Sequence, residues 1–363
     1  MGLHTASALR GDPPGETDPL RILVVDDSVV VRALIAKWLE EDEVGTVVTA
    51  ADGQQAINKL RGAPADVVTL DLEMPVLSGF DALPLIKKTC PDARVIVVSS
   101  LSTKGAKSTL RALELGATDF LPKPDSRDRT AFRREILDKV RALGGRRSGL
   151  AAKAPAAVRP QAPIRNARPR RSALPPSVVA VGCSTGGPEA LTKFLRELGE
   201  DFSTPIMISQ HMPATFTAIL AKNLSRQTRR DVREAEEGEL LQRGRVYIAP
   251  GDRHLLLKSG AQGMQLTLSS APPEHHCRPA VDPMFRSIAG LCKERALAVV
   301  MTGMGHDGAA GSSEIQNAGG RVVVQDEATS VVWGMPGSVV AAGAADAVMT
   351  IEKLAAYVRE ACA

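Results

Sequence analysis

The chain has 363 residues, 44% hydrophobic and 24% charged, with a formal net charge of +4. That length and mix exclude a staple-dependent miniprotein and a disordered chain, and leave room for two or three ordinary domains. The longest apolar runs, Val178–Val181 and Ala296–Thr302, are far too short for membrane insertion, and the first residues, MGLHTASALRGDPPGETDPL, lack the basic-then-apolar pattern of an export signal.

In chain order, residues 1–20 read as a flexible N-terminal tail. Arg21–Val25 is a buried-strand run, and Ser28–Glu40 carries apolar residues at helical spacing. Strand signals recur at Asp66–Leu70, Arg94–Val98 and Ala117–Leu121, with helices at Gly79–Lys88, Lys104–Leu115 and Arg129–Leu143. Strands alternating with helices predict βαβ units on a parallel sheet for residues 21–143. Residues 144–177 hold eight Lys/Arg, six prolines and no acid, and read as a basic Pro/Ala-rich linker. Without those eight charges the net +4 becomes −4, so the basic balance belongs to one segment. With no reading helix and no aromatic residue for stacking in it, a nucleic-acid partner is not expected.

Residues 178–363 repeat the α/β pattern. Val178–Val181 leads through a glycine-rich turn into Glu189–Leu198. Pro205–Ser209, Thr215–Ser225 and Gly244–Ala249 follow, then a hairpin at Leu255–Leu268, a helix at Asp282–Cys292, a strand at Ala296–Thr302 and a βα pair from Arg321. The fold class is α/β, a parallel-sheet domain followed by a second doubly wound α/β domain. In such sheets ligands bind beyond the carboxyl ends of the strands. Five scattered cysteines without CxxC spacing suggest neither disulfides nor zinc, and fit a cytoplasmic location.

In the first block Asp26, Asp27 and Asp71 end strands and Lys123 follows the last one. Clustered carboxylates are hard ligands suited to Mg²⁺, and a lysine beside them can pair with an anion, which describes an aspartate that accepts a phosphoryl group. Any one of these acids alone reads better as a helix cap. The stretches VVDDS (24–28), TLDLEMP (69–75), VVSS (97–100) and DFLPKP (119–124) resemble a response-regulator receiver domain. The resemblance implies a flavodoxin-like sheet, Asp71 as phosphoacceptor, Asp26, Asp27 and Asp71 at Mg²⁺, Ser99 as the switch hydroxyl, Phe120 as the switch aromatic and Lys123 as the pairing lysine.

In the second block VGCSTGG (181–187) puts Ser184 on a strand-to-helix turn, where it is either an activated nucleophile or part of a phosphate-binding turn. A nucleophile needs a base and an orienting acid. His211 follows the strand PIMISQ at the same kind of sheet end. His254, after a Pro-Gly-Asp turn, reads as a surface or structural residue, and the adjacent His275 and His276 should point apart rather than share a metal. Asp307, in TGMGHDG (302–308), is either an orienting acid or a turn residue. His306 beside it points either to solvent or at His211, and Cys183 reads as a buried filler.

GCSTGGPEAL (182–191), QHMPATFT (210–217), YIAPGDRH (247–254), RPAVDPMF (278–285), TGMGHDGAAG (302–311) and QDEATSVVWGMP (325–336) together resemble the catalytic domain of the chemotaxis protein-glutamate methylesterases, the CheB family. The resemblance implies Ser184 as nucleophile, His211 as base and Asp307 as its orienting carboxylate. It also puts the Met304 N–H at the oxyanion and Thr185 along the site. The implied reaction is phosphorylation-activated hydrolysis of glutamate γ-methyl esters on chemoreceptor helices, with glutamine deamidation on the same receptors. A chemotaxis-type histidine kinase would supply phosphate. Mg²⁺ serves the receiver alone, and the ester chemistry needs no cofactor. The rival reading is a phosphorylation-switched binding module of a related, non-motility pathway.

Overall fold

The computed structural model describes residues 19–123, 129–145 and 174–363. Most of the expected N-terminal tail and of the basic linker lies outside the described residues. Leu20, at the tail's end, already packs against the first sheet, and its carbonyl accepts the Thr46 N–H.

The first unit runs β1 (Arg21–Val25), α1 (Val29–Glu41), β2 (Thr46–Ala50), α2 (Gly53–Gly62), β3 (Val67–Asp71), α3 (Gly79–Thr89), β4 (Arg94–Ser99), α4 (Thr103–Glu114), β5 (Asp119–Pro122) and α5 (Arg129–Gly144). The sheet is parallel, in the order β2-β1-β3-β4-β5. Every residue of β3 is buried, as a strand covered by helices on both faces requires. Ser28, Asp52, Ser78 and Ser102 accept backbone N–H groups at the starts of α1 to α4, which fixes where each helix leaves the sheet. The order follows from the first strand. β1 sits between β2 and β3, so the chain reverses direction across the sheet there, and a crevice opens at the ends of β1 and β3.

The second unit runs β6 (Val178–Cys183), α6 (Gly187–Leu198), β7 (Ile206–Gln210), α7 (Ala214–Thr228), β8 (Asp231–Glu234), β9 (Arg245–Ile248), β10 (His254–Gly260), β11 (Gly263–Ser269), α8 (Val281–Cys292), β12 (Ala296–Val300), α9 (Ala309–Asn317), β13 (Arg321–Gln325), α10 (Gly334–Ala341), β14 (Ala347–Met349) and α11 (Ile351–Cys362). Seven strands form a parallel sheet in the order β14-β13-β12-β6-β7-β9-β8, and β10–β11 is the separate antiparallel hairpin. β6 and β12 are wholly buried. The chain winds outward from β6 through β7, then returns to place β12 on the other side of β6. The ends of β6, β7 and β12 are therefore neighbours around one switch point, although β6 and β12 are separated by more than a hundred residues.

The two units share an apolar core. The Phe120 ring at the end of the first sheet stacks on Phe216 of α7, with centroids 4.6 Å apart and planes 18° apart. At the rim, Glu114 of α4 accepts hydrogen bonds from Arg226 at 3.1 Å and Gln227 at 2.6 Å. Between α4 and the α6–α7 pair runs a cleft of about 660 Å³ lined by residues such as Leu110, Leu113, Pro188 and Leu220. No helix among the described residues is long and apolar enough to cross a membrane.

Candidate active site and phosphoacceptor site

The turn after β6 is built by glycine. Gly186 has φ +75°, and a Cβ there would fall 2.6 Å from the Val331 side chain. At Gly187 a Cβ would stand 1.9 Å from Gln210 Oε1. Gln210 holds the turn from beneath, its amide donating to Ser184 O at 3.0 Å and to His211 O at 3.1 Å. Ser184 itself is half-buried, and its N–H reaches Thr302 O at the end of the neighbouring strand. Gly303 lies directly against its Cβ.

His211 and Asp307 come together across the sheet end, with Nε2 2.7 Å from Asp307 Oδ2. Asp307 is buried and firmly oriented, because it also accepts the N–H groups of Val281 at 2.6 Å and Asp282 at 2.9 Å, the first residues of α8. Burial alone would raise its pKa. The His211 bond, the imidazolium charge and the two helix N–H groups outweigh that and hold the carboxyl below its ordinary range. For His211 burial favours the neutral ring. The Asp307 hydrogen bond, the Cys277 sulfur and the Asp307 charge overcome it and push the pKa up to about 10.

The other ring nitrogen, Nδ1, faces Cys277 Sγ at 3.5 Å. No hydrogen bond joins Ser184 to His211 among the described residues. Sequence reasoning gave Cys277 no role, since a single cysteine in a polar loop has no spacing signal. Cys183 is fully buried, and burial pushes its thiol up, away from reactivity. His254 is buried too, its ring bonded to the Pro272 carbonyl and the Ala280 N–H. His306 is exposed and packs edge-on against His275 rather than against His211. The Met304 N–H follows Gly303 at the same sheet end.

Thr185 is buried, and its hydroxyl donates to Asp119 Oδ2 of the first unit at 2.8 Å. The same carboxylate oxygen pairs with Lys139 of α5, which is only 10% exposed. Burial would strip Lys139 of its proton, but Asp119 and Glu135 keep its pKa raised, and Cys277 is near enough to contribute. The first unit's β5 therefore reaches the residue after Ser184.

At the end of the first sheet, Lys123 Nζ lies 2.6 Å from Asp71 Oδ2 and 3.2 Å from Asp26 Oδ2. Burial, with Asp26 adding to it, lifts Asp71 above its usual range despite Lys123. For Lys123, burial is outweighed by the two carboxylates and the pKa is raised. Asp26, Asp27 and Asp71 bring carboxylate oxygens within 4.8 Å of one another. Asp26 Oδ2 is buried and faces the Lys123 ammonium alone. An all-oxygen donor set of three carboxylates at one sheet end fits a hard divalent ion. Beside it opens a cleft of about 160 Å³ lined by Asp27, Asp71, Ser99 and Lys123. The Ser99 hydroxyl is bonded to Thr109 rather than to Asp71.

Comparison with known proteins matches this arrangement twice. Residues 179–358 fit the family model described as CheB methylesterase, and residues 22–132 that of the response regulator receiver domain. A Rhodospirillum centenum protein, named protein-glutamate methylesterase/protein-glutamine glutaminase of group 2 operon, is 45% identical over 97% of this chain and 96% of its own. The chain belongs to the CheB methylesterase family. A Caulobacter vibrioides relative, named protein-glutamate methylesterase/protein-glutamine glutaminase 2, is 43% identical over 93% of this chain and 98% of its own. The crystal structure of the Thermotoga maritima CheB methylesterase catalytic domain is 40% identical, with a TM-score of 0.50. It covers 52% of this chain and 99% of that one. The receiver and CheB units thus account for both parallel sheets.

Proposed function

We propose that this CheB-family chain hydrolyses glutamate γ-methyl esters on the cytoplasmic helices of chemoreceptors, releasing methanol, and that phosphorylation of its receiver unit turns the reaction on. The relatives' names extend the proposal to deamidation of receptor glutamines. The observation that carries the reading is the hydrogen-bonded His211–Asp307 pair, its carboxylate buried, at the end of the strand next to the one that ends in Ser184's turn.

In the proposed reaction Ser184 Oγ attacks the ester carbonyl while His211 takes its proton. The imidazolium that forms is stabilised by Asp307, whose orientation is fixed by the start of α8. The oxyanion is assigned to the Met304 N–H. Methanol leaves with the proton from His211, and water then hydrolyses the acyl-serine, leaving a glutamate carboxylate and free enzyme. Cys277 occupies Nδ1 of His211 in the docked form seen here. We read this form as the resting one, with the receiver packed over the catalytic edge and Ser184 not yet joined to its base.

At the receiver, Asp71 is the proposed phosphoacceptor, with a chemotaxis-type histidine kinase as donor. Asp26, Asp27 and Asp71 would hold Mg²⁺, which when bound neutralises charge on the transferring phosphoryl group. Lys123 pairs with the acylphosphate, Ser99 leaves Thr109 to meet it, and Phe120 moves with Ser99. The setting is proposed to be cytoplasmic.

Methanol release from methylated receptors, measured with and without an acyl-phosphate donor, tests the reading. Release should rise with the donor, and Asp71→Asn should abolish the rise. Receptor binding without methanol from the phosphorylated chain would leave only the switched binding module.

A further inference from the structure

Residues Glu274 to Cys277 close a tight turn through two reciprocal backbone bonds, Glu274 N–H to Cys277 O at 3.1 Å and Cys277 N–H to Glu274 O at 2.8 Å. Its two central residues, His275 and His276, are both left-handed, with φ of +52° and +62°. Turns of this kind usually take Asn-Gly or Asp-Gly, because a left-handed residue bearing a side chain is strained. Two histidines hold the conformation here, and it aims only one of them inward. His275 Nε2 lies 2.8 Å from Asp282 Oδ2 and 3.9 Å from Asp307 Oδ1. The His306 ring stands edge-on to His275, with centroids 4.5 Å apart.

Glu274, His275 and Asp282 bring one donor atom each within 4.8 Å of one another. Among the described residues only Asp26, Asp27 and Asp71 form another such group. Asp282 is 1% exposed. Its Oδ1 is spent on the Gly311 N–H at 2.6 Å, and its Oδ2 carries nothing but His275. Asp307 and Glu274 add two more carboxylates, with Arg286 bound to Glu274. The pocket is thus rich in negative charge and offers imidazole nitrogen as well as oxygen.

We propose that Glu274, His275 and Asp282, with His306 swinging in as a fourth donor, form a site for a divalent transition-metal ion of the zinc class. Mixed imidazole and carboxylate donors suit Zn²⁺, whereas Mg²⁺ prefers oxygen and retained water. Bonds of about 2.0–2.2 Å need only small side-chain movements from the present positions. The ion takes the place of the proton or hydrogen bond between His275 and Asp282 and displaces Arg286 from Glu274. It then lies one side chain away from Asp307 and pins the turn whose last residue, Cys277, touches His211. A bound ion would add positive charge beside Asp307, weaken its hold on the His211 imidazolium and slow ester hydrolysis, a consequence that rests on the proposed function; the binding itself does not.

Isothermal calorimetry on the full chain, stripped by chelator and held in Mg²⁺ to fill the receiver site, tests the site with Zn²⁺ as titrant. One saturable ion per chain is expected. His275→Asn keeps a residue that tolerates the left-handed backbone and should weaken binding at least about tenfold. Glu274→Gln should weaken it as well, and His276→Asn should leave it unchanged. Co²⁺ in place of Zn²⁺ should give visible absorption without a sulfur-to-cobalt charge-transfer band. The proposal falls if Zn²⁺ shows no saturable binding, if both His275→Asn and Glu274→Gln bind like the parent, or if the sulfur band appears and assigns the ion to Cys277.

Discussion

Ser184 and His211 stand at the ends of adjacent strands, held by Gln210 and by Asp307 rather than by each other. Replacing either reacting group should remove turnover while the held partner keeps the fold. Ser184→Ala and His211→Ala should each lower methanol release by several powers of ten, with unfolding midpoints close to the parent's. Cys277 makes a sharper demand. Its sulfur is among the causes that hold the His211 proton up to about pH 10, and a base must be neutral to act. Cys277→Ala should therefore shift the rising limb of the unphosphorylated chain's pH–rate profile toward lower pH. A limb that stays in place would remove Cys277 from the site's electrostatics. The stability effect has the opposite sense. A histidine with a raised folded pKa contributes fully below its free value of about 6.5 and loses that contribution as pH rises through about 10.

At the scale of elements, β5 and α5 carry the contact between receiver and catalytic edge. Asp119 accepts the Thr185 hydroxyl and pairs with buried Lys139. Removing one partner of a buried pair costs about 3–5 kcal/mol, and removing Asp119 also takes the Thr185 hydrogen bond from the docked form. Asp119→Ala should raise basal methanol release of the unphosphorylated chain several-fold while leaving the phosphorylated rate near the parent's. An unchanged basal rate would mean that the contact does not restrain the enzyme. These contacts also mark where sequence reading stopped. The strands and helices around Val25, Asp71, Cys183 and Val300 were legible from apolar runs and glycine turns, because their burial is written into local composition. β2, with one residue exposed, three half-buried and one buried, and α9, built from small residues against Phe285, carried no comparable pattern and went unread. Thr185–Asp119, across the two units, and Cys277–His211, within the second, each join residues 66 positions apart, and no local rule reports a pairing at that distance.

For the whole molecule, a receiver that covers the catalytic edge should be dispensable for chemistry. A fragment beginning near Ser177 should release methanol faster than the intact unphosphorylated chain on the same methylated receptor. A fragment no faster than the intact chain would mean that the edge is open in both.

Phe120 gives this coupling a second direction. Its ring is stacked on Phe216 in the docked form, and it is also the ring proposed to move when Asp71 is phosphorylated. One side chain cannot satisfy both positions, so whatever free energy the phosphoryl group contributes to undocking, docking must withdraw from phosphorylation. The catalytic unit is then a negative effector of its own activator. The isolated receiver should reach a higher phosphorylated fraction than the intact chain at the same acyl-phosphate concentration, and Phe216→Ala in the intact chain should recover part of the difference. Receptor helices that compete for the catalytic edge would relieve the same penalty, so the substrate itself would promote the phosphorylation that its hydrolysis requires.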